Sequence, residues 1–131
     1  MESQELARFT EPIEVRFSND GKSLTLLQGF YYYRKGSSAD DQSAIKVPRG
    51  FHTDGFSNFG ADFMLPRFGK GLKCAVLHDY LCVEFHQGRV SRAFADKVFL
   101  EAMIETRAFS RIKAYVIYAS VRGYAICKGY K

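Results

Sequence analysis

The stretch Lys73-Cys-Ala-Val-Leu-His-Asp-Tyr-Leu-Cys-Val-Glu-Phe85 places an imidazole and a carboxylate side by side in the middle of an apolar segment. Its apolar side chains recur at a spacing that predicts a helix over residues 72–85. His78 and Asp79 lose hydration in such a setting, and burying a polar group is costly unless the group is paired. The stretch therefore predicts a helix whose two polar residues have partners elsewhere in the chain.

Two more helices are predicted to follow, over residues 91–108 and 110–127. Ser91 and Ser110 stand at the starts of these helices and are suitable N-cap residues. Gly88 lies between the helix over 72–85 and the helix over 91–108, where it ends the earlier helix. Arg122, near the end of the last helix, is positioned to pair with a carboxylate in the core. The C-terminal half is therefore predicted to contain three helices.

Asp96 lies on the predicted core face of the middle helix, which it shares with Phe99, Leu100 and Met103. A carboxylate on that face needs a hydrogen-bond donor, and the nearest attractive donor is His78. An aspartate paired with a histidine fixes the tautomer and leaves the second ring nitrogen able to take a proton from water. We therefore expect Nδ1 of His78 to bond to Asp96, with the imidazole opening onto a cleft.

The N-terminal half has the alternation and turn residues of a small antiparallel sheet. Strands are predicted over residues 13–17, 24–34 and 44–47, with a hairpin turn at 19–21. Residues 51–71 combine glycine, aspartate, asparagine and proline with phenylalanine, which is typical of a packed, shaped loop. The predicted fold is one α+β domain over 1–131, β-rich over 1–50, with a structured loop over 51–71 and helices over 72–131.

Composition limits the class of protein. The 131 residues are 47% apolar and carry a net charge of +5, which indicates a globular protein that favours anionic partners such as phospholipid head groups. A specific nucleic-acid ligand is not expected, since the basic residues form no run of five or more. The three cysteines have no CxxC spacing, which favours reduced thiols. With no signal peptide and no transmembrane segment in the pattern, we expect a protein of the host cytoplasm, or one carried in an assembled particle.

The loop after the third strand could complete a metal site. Asp54 and Gly55 supply a tight turn, a carboxylate and backbone carbonyls, and Asp79 supplies a second carboxylate. Ligation by oxygen alone suits a hard cation such as Ca²⁺. Such a cation would stabilise an oxyanion during ester hydrolysis.

Three segments resemble an uncharacterised family of small phage and prophage proteins. They are Val47-Pro-Arg-Gly-Phe-His-Thr-Asp-Gly-Phe-Ser57, Ala75-Val-Leu-His-Asp-Tyr-Leu81 and Ser91-Arg-x-x-Ala-Asp96-x-x-Phe99-x-x-Ala-Met103. The resemblance runs from about residue 44 to residue 122. It implies a phage origin but carries no function over to this chain. Association with other virion or tail proteins is an expectation for a phage protein of this size.

The same order of motifs is similar to that of the calcium-dependent phospholipases A2, especially the small bacterial ones. The resemblance implies that His78 activates water, that Asp96 is its dyad partner and that Asp79, Asp54 and Gly55 hold calcium. Two positions depart from the pattern. Cys82 stands where those enzymes have a tyrosine that supports the dyad, and Phe56 replaces the cysteine that anchors the loop to the helix.

Three functions are therefore open. The first is a phage-encoded, phospholipase-like hydrolase that uses calcium. The second is a non-catalytic virion, tail or host-interaction protein that keeps the His–Asp pair for stability, which the two departures favour. The third is a metal-dependent phosphohydrolase with the order His52, His78-Asp79, Asp96, although His52 lies in a strand-to-loop region where that superfamily has a helical histidine.

Overall fold

The computed structural model describes residues 8–9, 12–20, 23–34, 44–53 and 69–131. Within these ranges the predicted α+β arrangement is confirmed, with short antiparallel strands followed by three helices. The elements are β1 (Arg8–Phe9), β2 (Val15–Phe17), β3 (Leu24–Leu26), β4 (Phe30–Tyr33), β5 (Ile45–Val47), β6 (His52–Thr53), α1 (Gly69–His86), α2 (Arg92–Glu105) and α3 (Arg111–Cys127). The strands form two three-stranded sheets, in the orders β1-β4-β5 and β2-β3-β6.

The predicted single strand over 24–34 is wrong, because the chain changes sheets within it. β3 pairs with β2 and β6, whereas β4 pairs with β1 and β5. Gly29, in the bend between β3 and β4, lies so close to the β5 backbone that an added Cβ would be 2.7 Å from the Val47 carbonyl oxygen. This close approach of two backbones breaks the strand, and it depends on a contact that is distant in sequence.

Substituting Gly29 with alanine is expected to lower the free energy of unfolding by roughly 1–3 kcal/mol, because the methyl group overlaps backbone that cannot move aside cheaply. Gly123→Ala is the matched control. A Cβ at Gly123 would have nothing within 4 Å, and alanine favours a helix interior more than glycine does. The free energy of unfolding of Gly123→Ala should therefore rise by about 0.5–1 kcal/mol. Urea denaturation of both variants measures the difference. Equal stabilities would show that the bend tolerates a side chain.

The helix boundaries follow local capping. The Ser91 and Ser110 hydroxyls accept hydrogen bonds from the backbone N–H groups of Phe94 (3.0 Å) and Lys113 (3.2 Å), so both predicted N-caps are confirmed. The middle helix ends at 105 and not at 108. The Thr106 hydroxyl donates to the Ala102 carbonyl at 2.6 Å, and the next residue has φ 60, which a helix cannot contain.

Polar side chains link the sheets to the helices. The Tyr32 hydroxyl on β4 donates to a Glu101 carboxylate oxygen on α2 at 2.7 Å. The Thr53 hydroxyl on β6 donates to the Asp79 carboxylate on α1. α2 packs against both α1 and α3, so the middle helix lies at the centre of the helical part. Of the helices in the described ranges, none combines the length and hydropathy that crossing a membrane requires.

Candidate active site

The structure brings His78 and Asp96 together at the α1–α2 contact. Nε2 of the imidazole lies 2.6 Å from Oδ1 of the carboxylate, and both side chains are 0% exposed. Each residue lies on the inward face of its helix among apolar neighbours, as the periodicity of the sequence predicts. A short bond between two fully buried groups fixes the orientation of the ring.

Asp96 also binds two arginines, so all three helices meet at this carboxylate. Arg92, one turn earlier on α2, donates from Nε to Oδ1 at 3.0 Å. Arg122 on α3 donates from Nη1 to Oδ2 at 2.7 Å, as the position of that arginine in the sequence indicated. The Arg92 side chain is only 3% exposed. The carboxylate thus compensates buried positive charge as well as holding the imidazole.

The surroundings determine the charges of the pair. Burial alone would raise the pKa of the Asp96 carboxyl, but the bonds from His78 and Arg92 outweigh it and the pKa lies below its usual value. Burial lowers the pKa of the His78 imidazole, although Asp96 opposes that shift. Near pH 7 the pair is therefore an ionised aspartate and a neutral histidine. Because the aspartate can only accept, Nε2 carries the ring proton and Nδ1 carries the lone pair.

Among the described residues, Phe99 and Cys82 lie against the imidazole. The Phe99 ring stacks on it with centroids 4.4 Å apart and planes 18° apart. Cys82, one turn along α1, places its sulfur 3.6 Å from Nε2 and 4.0 Å from Nδ1 of His78. Burial raises the pKa of the Cys82 thiol to about 12, so it stays protonated. Cys82 therefore gives the imidazole a weakly polar neighbour.

Two details of the expected geometry are wrong. Nε2 of His78, and not Nδ1, meets Asp96, because Nε2 is the distal nitrogen and a group from a neighbouring helix reaches it first. The imidazole does not open onto a cleft, since none of its surface is exposed. Phe99 and the α1–α2 contact cover the ring more completely than the periodicity of either helix indicates.

The predicted metal ligands are only partly within the described ranges. Asp79 is half-buried on α1 and accepts the hydrogen bond from Thr53, whereas Asp54 and Gly55 lie outside the described residues. The described residues contain no cluster of three or more histidine, cysteine, aspartate or glutamate side chains suited to a metal ion. Since Ca²⁺ takes six to eight oxygen ligands, Asp79 by itself does not constitute a calcium site.

His52 does not lie with His78 and Asp96 in one site. Its Nδ1 lies 2.9 Å from the Thr25 hydroxyl on the neighbouring strand, and its side chain is exposed. The next residue, Thr53, reaches α1, and successive side chains of a strand point to opposite faces. The His52 side chain therefore points away from His78, which removes the geometric basis for the phosphohydrolase order.

Sequence reasoning missed Arg92 and the stacking of Phe99 on His78. A signal for Arg92 was present, because it lies four residues before Asp96, the spacing at which helix side chains meet. The stacking had no comparable signal, since it depends on how the two helices are placed. Cys74 and Cys82 are buried, Cys127 is exposed, and none of the three forms a disulfide.

The lowered pKa of His78 predicts a pH dependence of stability. Below about pH 6.5 the unfolded chain binds a proton that the folded chain does not, so stability falls as the pH falls, by up to about 1.4 kcal/mol per pH unit. The stability contributed by ionised Asp96 is lost only below about pH 4. Urea denaturation between about pH 7.5 and pH 5.5 measures the slope. We expect His78→Gln to flatten it and His52→Gln to keep it. An unchanged slope in His78→Gln would contradict the assignment.

Comparison with known proteins identifies the family. The chain belongs to the family described as "Protein of unknown function (DUF1353)", which matches residues 24–121. The match includes α1, α2 and most of α3, and therefore the His78–Asp96 pair and Arg92. No curated protein and no solved structure matches the chain.

Proposed function

We propose that this protein is a phage-encoded, phospholipase-like hydrolase in which His78 activates water for attack on an ester and Asp96 orients the imidazole. The observation that carries the proposal is the 2.6 Å contact between Nε2 of His78 and Oδ1 of Asp96. This contact assigns the ring proton to Nε2 and leaves Nδ1 as the basic atom. The sequence motifs resemble those of the calcium-dependent phospholipases A2, in which an aspartate on one helix orients a histidine on another.

In the proposed reaction Nδ1 of His78 takes and returns the proton, while Nε2 stays bonded to Asp96. Because the imidazole is fully buried, the proposal requires an opened conformation in which water and the ester reach Nδ1. Nδ1 then takes a proton from the water while the water oxygen attacks the ester carbonyl carbon. The tetrahedral intermediate then collapses, the carbon–oxygen bond to the alcohol breaks, and the imidazolium returns the proton to the leaving oxygen. Asp96 stays ionised throughout and stabilises the imidazolium, because Arg92 and Arg122 oppose its protonation.

Calcium is part of this proposal. Asp79 would contribute a carboxylate, with Asp54 and the backbone around Gly55 as the other predicted ligands. The hydrogen bond from the Thr53 hydroxyl to the Asp79 carboxylate supports a site that includes both Asp79 and Asp54, since Thr53 directly precedes Asp54 in the chain. A cation bound there would supply electrostatic stabilisation of the ester oxyanion.

The substrate class follows from the resemblance and from charge. An ester of a phospholipid, presented by an anionic membrane, suits a chain with a net charge of +5. A phage protein of this kind would act in the host cytoplasm or travel in the virion with other particle proteins. The family membership neither requires nor opposes this assignment.

The experiment that tests the proposal measures calcium binding and turnover on the intact protein. Calorimetric titration with calcium should give heat for the wild type and much less for Asp79→Asn. Release of fatty acid from phospholipid vesicles should require calcium. Absence of both heat and turnover in the wild type would refute the hydrolase.

A second candidate function has its own support. His78 and Asp96 are both 0% exposed, and Asp96 joins three helices through one imidazole and two arginines. Such a hub suits a non-catalytic virion, tail or host-interaction protein, in which the pair only holds the helices together. This candidate predicts the same stability effects as the hydrolase, and no ester turnover.

A further inference from the structure

The outward side of α3 is an apolar face with no partner in the described part of the chain. Ile112 is 81% exposed, Ile126 is 66% exposed, and Tyr115 and Val116 are each close to half-exposed. At about 100° per residue these four side chains share about 100° of the helix circumference, with no charged residue among them. The face, which we call the α3 outer face, comprises Ile112, Tyr115, Val116, Ala119, Gly123, Ile126 and Cys127.

This face is additional to the one that packs in the core. α3 buries Ala114, Ile117, Val121 and Ala125 on its inward side. A helix that is apolar on two sides normally has both sides covered, whereas a surface helix is polar on the outside. An exposed apolar strip of this kind marks an interaction site.

The charges beside the face are all positive. Six of the 19 lysines and arginines lie in residues 107–131 and none of the 14 acidic residues does, so residues 1–106 hold 13 basic and 14 acidic side chains. The whole excess of positive charge is therefore on α3 and the turns next to it. On the helical wheel Lys113 lies beside one edge of the face and Arg111 lies beside the other, and both are exposed.

We propose that the α3 outer face docks on an anionic phospholipid surface, with its apolar residues in the headgroup–acyl boundary and its basic neighbours on the phosphates. Apolar side chains flanked by lysine and arginine are the pattern of a helix that lies in a membrane interface. Each basic side chain near such a surface contributes attraction, and no acidic side chain follows Glu105 to oppose it.

The charges also argue against a second copy on this face. An antiparallel pair of α3 helices would bring Arg111 of one chain near Lys128 of the other, and a parallel pair would bring like residues together. Either arrangement places positive charge against positive charge, with no acidic residue on α3 to offset it. An anionic surface offsets every one of these charges.

The docking surface is separate from the His78–Asp96 pair. It would bring the proposed hydrolase to its substrate, and a non-catalytic protein could use it equally well. A binding measurement on ether-linked lipids, which contain no ester to cleave, tests the surface alone. His78→Gln should bind these lipids as the wild type does.

The experiment is sedimentation of the full-length protein with ether-linked vesicles of phosphatidylglycerol and phosphatidylcholine, compared with phosphatidylcholine alone. The wild type should bind the anionic vesicles, and salt should weaken binding. The double variant Ile112→Gln/Ile126→Gln should lose roughly 100-fold in affinity. Arg111→Gln/Lys113→Gln should lose roughly 20-fold. Val83→Gln, at a 37% exposed apolar position on α1, is the matched control and should bind normally.

Three results would overturn the proposal. The first is no binding by the wild type, and the second is equal binding by the isoleucine double variant. The third is a wild type that is dimeric by light scattering, becomes monomeric in that variant and ignores vesicles, since the face would then join two copies. Circular dichroism and urea denaturation establish that each variant is folded.

Discussion

Replacing His78 with glutamine is expected to lower the rate of ester hydrolysis by about 10²–10⁴-fold, the usual contribution of a general base. The glutamine amide can replace Nε2 as a donor to Asp96 but offers no basic nitrogen in place of Nδ1. The hub that joins the three helices should therefore survive, with a free energy of unfolding within about 1 kcal/mol of the wild type near neutral pH. Initial rates on phospholipid vesicles with calcium measure the loss.

His52→Gln is the matched control, since it removes a histidine that is exposed and points away from the pair. It should leave the rate unchanged. A wild type and a His78→Gln variant with the same rate would show that the imidazole does no chemistry. If neither protein released fatty acid above the rate without protein, the non-catalytic function would be preferred, and stability alone would explain the hydrogen bonds of the pair.

Substituting Asp96 with alanine is expected to lower the free energy of unfolding by about 3–5 kcal/mol. The variant leaves the Arg92 guanidinium buried with its carboxylate partner removed, and it deprives both His78 and Arg122 of their shared acceptor. The expected loss of unfolding free energy is larger than the net contribution of the hydrogen bonds that are removed, because a buried charge is left without a partner. Urea denaturation near pH 7 measures it.

Glu84→Ala is the control for that loss. Glu84 pairs with Arg89, whose side chain is 61% exposed, so water and salt weaken the interaction. Removing it should cost less than about 1 kcal/mol. Similar losses for the two variants would mean that Asp96 is an ordinary ion-pair partner and not the centre of a buried hub.

Much of the fold was predictable because its signals are local. The serines at 91 and 110 cap helices through their own hydroxyls, and the apolar spacing around His78 and Asp96 identifies the inward faces of α1 and α2. A carboxylate on an inward face requires a donor, and that requirement alone led to the His78–Asp96 pair. The division into a β-rich front and a helical back follows from the same kind of pattern.

The break between β3 and β4 was not predictable from the strand pattern. Residues 24–34 are aromatic and β-prone, as a continuous strand would be, and the approach of the β5 backbone to Gly29 divides them. The roles of Asp54 and Gly55 stay a prediction, since both lie outside the described residues.

The sequence by itself determined which helix faces are buried, where the second and third helices begin, and that an imidazole and a carboxylate need each other. These properties depend on periodicity and capping, which act within a few residues. The tertiary structure alone decided that Nε2 of His78 meets Asp96, that Phe99 covers the ring, and that Asp96 is the carboxylate that Arg122 reaches. Those outcomes depend on the relative placement of three helices, which arises from packing between segments far apart in the chain.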